Sequence, residues 1–348
     1  MTLAAALVAG GCSGGESRSL EGPAAQIFGG ECADSDGRSV TVYAGRSENL
    51  IGPPLEAFAC ESGTTVETRW GSSTDLALLL ATEGDRTAAD VFLSRSPGPV
   101  GFLEARGLLG AIDSDVLALS AEANRSAAGT WVGFSGRKRV LVHNLDSVTP
   151  DELPQSVYDL ADERYRDRVA IAATNGSFLD WFTVFRDQHG TDAASGWLDD
   201  MVANGARYYP NNRSIVEAAG RGEIDMGLVN HYYHHQEAAA AGEGHRADNH
   251  NFAEDDIGSL LIITAASVTA ASDSTEAANH LIAYLLSAPV QRYLTDETLE
   301  YPLAAGVSSA AVLPPLSALE IGTVDFDALG GGFAESLAIV EASGILNE

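Results

Sequence analysis

The segment Asn230-His231-Tyr232-Tyr233-His234-His235 holds the densest chemistry in this chain. It follows the run Met226–Val229, which reads as a short strand, so it sits at a strand's carboxyl end, where open α/β sheets hold their ligands. Adjacent tyrosines present two phenolic oxygens, and a phenolate is a hard, anionic ligand of the kind that hard cations prefer. A free tyrosine titrates near about pH 10, so phenolate at neutral pH requires a strongly acidic cation such as iron(III). Calcium or magnesium would be satisfied by carboxylates. Taken alone, the pair fits an aromatic wall for an organic solute as well, and Tyr208-Tyr209 is a second such pair. His231, His234 and His235 flank the tyrosines and His143 ends another strand, which leaves room for a softer ion such as zinc or copper.

The elements that must position this segment alternate. Strands are predicted at 39–43, 65–69, 90–93, 169–172, 226–230 and 259–266. A further pair, 131–134 and 139–144, is expected to meet around Ser135-Gly136. Helices are predicted from Pro53 to near Gly63, and at 75–82, 102–106, 178–188, 214–219 and 275–287. In the last of these Ala278, Leu281, Ile282 and Leu285 recur at helical spacing. Strands alternating with helices argue βαβ units and mostly parallel sheets. The 348 residues suit two lobes of ordinary domain size, with chain crossings near 135–143 and 260–266 and the ligand in the cleft between them. The first lobe is assigned residues 39–138 plus 264–305, the second 139–263 plus 306–348.

The formal charge is −29, from 49 acidic and 20 basic residues, which argues against nucleic acid or anionic lipid heads as partners. Residues 1–12 form an apolar run of small residues ending at Cys12, like the end of a lipoprotein export signal whose cysteine is acylated after cleavage. The basic segment such a signal carries is expected upstream of Met1. Residues 13–38, rich in Gly and Ser at their start, read as a flexible tether. An exported chain meets an oxidising compartment, so Cys32 and Cys60 are expected to bridge. The membrane is then reached only through a lipid anchor.

Several blocks, in order, resemble the bacterial ferric-ion-binding proteins, the substrate-binding components of iron(III) ABC transporters. They include Val-Tyr-Ala-Gly-Arg-Ser-Glu-Asn-Leu (42–50), Phe-Ser-Gly-Arg-Lys-Arg-Val-Leu-Val (134–142), Thr-Asn-Gly-Ser-Phe (174–178), Asn-Asn-Arg-Ser-Ile-Val-Glu-Ala (211–218), Gly-Glu-Ile-Asp-Met-Gly-Leu-Val-Asn-His-Tyr-Tyr (222–233) and Glu-Tyr-Pro-Leu (300–303). The resemblance implies a two-lobed periplasmic-binding-protein type II fold and a monomeric, extracytoplasmic carrier that hands Fe3+ to a permease. It casts Tyr232 and Tyr233 as phenolate ligands. Arg46, Asn175, Gly176, Ser177, Asn212 and Asn230 fall at positions that hold a synergistic carbonate or phosphate. The departures lie in the first lobe, where Ser47 and Arg95 stand in place of the family's histidine and glutamate ligands, and the 174–177 loop lacks the tyrosine of other members. Glu48 is the candidate substitute ligand, and His143, His231, Arg95 and Ser47 are accessory candidates.

Enzyme motifs are lacking. Gly133-Phe134-Ser135-Gly136-Arg137 lacks the closing glycine of a nucleophile elbow, and no Walker A, dinucleotide fingerprint or His-Glu-x-x-His occurs. No catalysis is expected. The rival readings are a clamp of the same fold for an organic or oxyanion solute, or for zinc, with the tyrosines as a wall, and a sensor partner with a degenerate cleft.

Overall fold

A computed structural model describes residues 18–318 and 332–347; Cys12 and the rest of the segment expected to be an export signal lie outside the described residues. In chain order the elements are α1 (Gly22–Ile27), β1 (Ser39–Ala44), α2 (Glu48–Ser62), β2 (Thr65–Trp70), α3 (Ser73–Glu83), β3 (Val91–Ser94), α4 (Pro97–Glu104) and α5 (Ser114–Leu117). Then come β4 (Trp131–Asn144), β5 (Val169–Ile171), α6 (Gly176–His189), α7 (Thr191–Ala203), β6 (Arg207–Tyr208), α8 (Asn212–Gly220), β7 (Met226–Asn230) and α9 (Tyr232–Ala241). The chain closes with β8 (Ala247–His250), β9 (Leu261–Val268), α10 (Thr275–Leu285), α11 (Ala288–Thr298), β10 (Tyr301–Pro302) and α12 (Phe333–Ala342).

The strands run in the order β2-β1-β3-β9-β4-β7-β5-β6, with β8 and β10 pairing to β4 off that path. β1 pairs in parallel with β2 and β3, and β5 with β6 and β7. β4 joins the halves. Its residues up to Lys138 pair antiparallel with β9, and from Arg139 it pairs with β7 instead. The expected pair of strands around Ser135-Gly136 is therefore one continuous strand, and all 14 of its residues are buried. The reason is visible in its neighbours. A bulge between Gly133 and Ser135 absorbs the local irregularity, and β9, β10, β7 and β8 supply partners along the strand. The elbow-like Ser135 thus lies mid-strand and not in a turn.

α2 begins at Glu48, five residues before the expected Pro53 start, and carries Pro53 and Pro54 within it. Its last turn ends on Gly63 at φ +75°, where a Cβ would overlap the Asp34 carbonyl, so only glycine lets the N-terminal strap pass this close. That strap corrects the reading of 13–38 as wholly tether. Within it α1 buries Ala24 and Ile27, and Cys32 is bonded to Cys60 of α2. The Cys32 and Ala33 amides also donate to the carbonyls of Arg18 and Cys60, at 2.7 and 2.8 Å.

One apolar core fills the outer face of the first sheet half, where Val40, Val42, Leu93 and Ala266 meet Phe58 of α2, Leu281 of α10 and Leu294 of α11. A second runs from α3 and α4 under the sheet to Trp181, Phe185 and Trp197 of α6 and α7. A third seats α8 on β4 and β7 through Val140, Val142, Ile215 and Val229. The packing therefore holds β4, and the ends of β5 and β7, in a rigid frame.

Candidate functional site

β7 ends at Asn230, which pairs with Arg139 where β4 changes partners. The chain turns at His231 and enters α9 with Tyr232 and Tyr233 in its first turn. Their rings lie 4.4 Å apart, tilted by 35°. His231 fixes this departure. The Lys138 amide donates to its Nδ1 at 3.1 Å, so the ring proton sits on Nε2, which donates to the Leu299 carbonyl at 2.7 Å. The imidazole also stacks on Tyr301 at 4.7 Å. Burial pushes its pKa down to about 3, so it stays neutral. Both nitrogens are occupied, and His231 is a strut beneath the tyrosines without a free metal-binding atom.

The tyrosines open into a cavity of about 360 Å³. Asn175 and Ser177 line it from the start of α6, and Arg46, Ser47 and Arg95 from the first lobe. Arg137 of β4 and Glu297 and Glu300 complete that side. Helix starts converge here. Asn175 caps α6 by accepting from the Ser177 amide at 3.0 Å, and the amide groups of such an end favour negative charge.

Beneath this wall the amides interlock. Asn212 Nδ2 donates to Asn175 Oδ1 at 3.1 Å and to Ser177 Oγ at 3.2 Å, while Arg139 Nη1 donates to the amide oxygens of Asn212 and Asn230 at 3.3 and 3.0 Å. Asn212 and Asn230, expected at the anion, thus brace the wall from below and do not line the cavity.

Buried positive charge is the dominant electrostatic feature. Arg46, Arg137 and Arg139 are all buried. Arg46 Nη2 donates to Glu300 Oε1 at 2.7 Å, and Ser135 donates to Glu300 Oε2 at 2.6 Å. Arg137 Nη2 donates to the Arg95 carbonyl, but its Nε finds no protein partner among the described residues, nor do Nε and Nη2 of Arg139. Burial lowers the Arg139 pKa to about 9. Burial likewise pushes the Asp180 carboxyl up, against the pull of Arg95 and Arg137, so this nearby acid offsets the guanidiniums poorly. Tyr233 is pushed well above the usual phenol range, first by burial and then by the Tyr232 phenol beside it. Without a ligand the site holds the protonated Tyr233 phenol and its neighbour Tyr232 facing an excess of guanidinium N–H. It suits a cation acidic enough to displace phenol protons, accompanied by an anion for the arginines.

Of the residues singled out from sequence, Tyr232, Tyr233, Arg46, Ser47, Arg95, Asn175 and Ser177 share the cavity. Gly176 abuts it from the side, where any Cβ would overlap the Arg95 guanidinium. Glu48 is exposed and lines an adjoining recess of about 320 Å³ with Trp70, Arg46 and Arg95, away from the phenols. His143 is buried opposite Met226 and Asp248 in the sheet and does not reach the cavity. Sequence reasoning gave no role to Arg137, Arg139, Glu297 or Glu300. The signal was present in Arg137-Lys138-Arg139, three successive cations inside a strand-like run, which marks charge carried into an interior.

The family model "Bacterial extracellular solute-binding protein" matches residues 86–326. The "Major ferric iron-binding protein" of Neisseria meningitidis is 31% identical over 284 residues, covering 81% of this chain and 86% of its own. The "Fe(3+)-binding periplasmic protein" of Serratia marcescens is 28% identical over 300 residues, 86% of this chain and 88% of its own. Among solved structures, iron-bound HitA from Pseudomonas aeruginosa superposes with a TM-score of 0.78 at 29% identity, covering 88% of this chain and 99% of that one.

Proposed function

The chain belongs to the bacterial extracellular solute-binding protein family, and from that premise we propose that it is the iron(III)-binding component of an ABC transporter, a carrier and not an enzyme. One observation carries the reading: two phenols at the end of β7 open into a cavity beside buried guanidiniums with unspent N–H groups. An aromatic wall for an organic solute does not need both features. The ferric-iron binding named for a relative 31% identical supports it.

Binding proceeds by exchange. Iron(III) displaces the phenolic protons of Tyr232 and Tyr233 to solvent and forms two Fe–O bonds. A small oxyanion, carbonate or phosphate, takes further coordination positions and is held by Arg46, Arg95, Arg137 and the Asn175–Ser177 helix start. Iron drawn between the walls favours the closed clamp, which surfaces on both lobes present to a permease. Cys12 anchors the carrier to the membrane by a lipid, and the chain works as a monomer. No helix among the described residues is long and apolar enough to cross a membrane.

The test is a visible spectrum of the chelator-stripped protein titrated with ferric citrate. A stoichiometric phenolate-to-iron charge-transfer band, absent from Tyr232→Phe/Tyr233→Phe, supports the reading. Repeating the titration with bicarbonate or phosphate names the anion. A colourless protein whose melting temperature ignores iron would put an organic or oxyanion solute in its place.

A further inference from the structure

We propose that Glu297 is the first-lobe carboxylate that binds the iron and draws the cleft shut, an inference that rests on the ferric reading above. Iron(III) prefers roughly six hard donors, and the tyrosines supply two. Guanidinium groups cannot coordinate a cation, so Arg46, Arg95 and Arg137 serve only the anion. Two carboxylates line the cavity, Glu297 and Glu300. Both oxygens of Glu300 are committed, one to Arg46 and one to Ser135. Glu48 faces the adjoining recess. Glu297 is exposed at the cavity wall, and no hydrogen bond or ion pair engages it among the described residues.

Its mooring places it beside the tyrosines. Glu297 lies in the last turn of α11, a helix that packs into the first-lobe core through Val290, Tyr293 and Leu294. The next carbonyl, of Thr298, accepts from the Gln236 side chain at 3.5 Å, and Gln236 follows Tyr232 by one turn of α9. The carbonyl after that, of Leu299, is held by His231. The second lobe thus grips the end of α11 on either side of the tyrosine pair. A carboxylate in the last turn of a helix also opposes the helix dipole, a placement that stability alone does not favour. On binding, one Glu297 oxygen forms a bond to iron already held by Tyr232 and Tyr233, so the same metal ion ties both lobes together.

The experiment uses the soluble chain, ferric iron with bicarbonate, and citrate as competitor, in wild type, Glu297→Gln, Glu297→Asp and Glu48→Gln. In Glu297→Gln the charge-transfer band is expected to persist, because both phenolates remain, but to move in wavelength. Iron should be lost at about 10–100-fold less citrate. Glu297→Asp falls between, Glu48→Gln matches wild type, and the iron-free melting temperature of each stays the same. A Glu297→Gln protein with wild-type band and citrate resistance overturns the assignment, as does a loss appearing in Glu48→Gln instead. A wild type with no band at all sinks the ferric reading and this inference with it.

Discussion

The two walls of the cleft are built on opposite plans. The second-lobe wall is a preassembled lattice: Asn175, Ser177, Asn212, Asn230 and Arg139 interlock by hydrogen bonds beneath the tyrosines, and His231 ties them to β4. The first-lobe wall is tied mainly through its backbone: Ser73 Oγ donates to the Gly45 carbonyl at 3.2 Å and accepts from the Arg95 amide at 2.9 Å, and Arg137 donates to the Arg95 carbonyl. Ser47 and Arg95 are exposed, and its one buried ion pair among the described residues, Arg46–Glu300, joins α2's approach to the strand after α11. The contrast divides the labour. The rigid wall holds the tyrosine pair at a fixed spacing, and the looser wall brings guanidinium charge and, on the proposal above, one carboxylate ligand. If so, damage to the two walls should differ in kind as well as in size.

The largest effect is expected on the rigid wall. Tyr232→Phe/Tyr233→Phe removes both anionic ligands, and iron affinity should fall by well over about 100-fold, beyond what loss of an outer-shell contact produces. Ser47→Ala and Arg95→Ala should leave the band in place and change only its dependence on bicarbonate or phosphate, read in the same titration. A first-wall variant that abolished the band would erase the division.

Arg46 tests the other side at the level of stability. Replacing it with Met leaves Glu300 buried without its partner, and removal of one member of a buried pair costs about 3–5 kcal/mol. The double variant Arg46→Met/Glu300→Gln should recover most of that loss in urea unfolding while still failing to respond to the anion. Stability without anion response would separate the pair's structural role from its binding role.

Acid should separate carriage from folding. Binding releases two phenolic protons, so iron affinity should fall by up to about 100-fold per pH unit through the neutral range. Folding responds lower. Burial raises the Glu300 pKa, but Arg46, Arg137 and Ser135 together hold it below its ordinary 4.5. A lowered carboxylate contributes stability that is present above the unfolded value and lost as pH falls through the folded one. Burial also lowers the pKa of His143, so stability begins to decline once pH drops below about 6.5. Citrate competition and thermal melts across pH 4–8 should therefore show iron leaving a folded protein. Coincident loss of both would mean that release is unfolding.

The tyrosine wall was legible in the sequence because its signal is local: a short apolar strand, then two tyrosines, then the start of a helix. The opposing wall was not. Glu297 sits in Thr-Asp-Glu-Thr, which reads as the solvated face of a helix, and only the return of α11 to the cleft gives it a position. Glu300 acquires meaning from Arg46, 254 residues away in the chain. β4 was misread at Ser135-Gly136 because small and charged residues suggest a turn, whereas partners on both sides bury the whole strand. The short helix α1 was hidden by the Gly and Ser content around it. It is held by contacts with α2 and by the Cys32–Cys60 bond, neither of which leaves a periodic trace.

The smallest expected effect lies where the walls touch. Gly176 opens α6, and a Cβ there would overlap the guanidinium of Arg95, the far end of an exposed and flexible side chain. Gly176→Ala should therefore cost under about 0.5 kcal/mol, since Arg95 can swing aside. The displaced guanidinium should nonetheless raise the anion concentration needed for full colour a few-fold, with the band itself unmoved. Arg95→Ala should do the same, and the two substitutions together should do no more than either alone, because each removes one contact between a helix start and an arginine. Additive losses would show that Arg95 and the α6 start meet the anion independently, and the looser wall would then have to be credited with a geometry of its own.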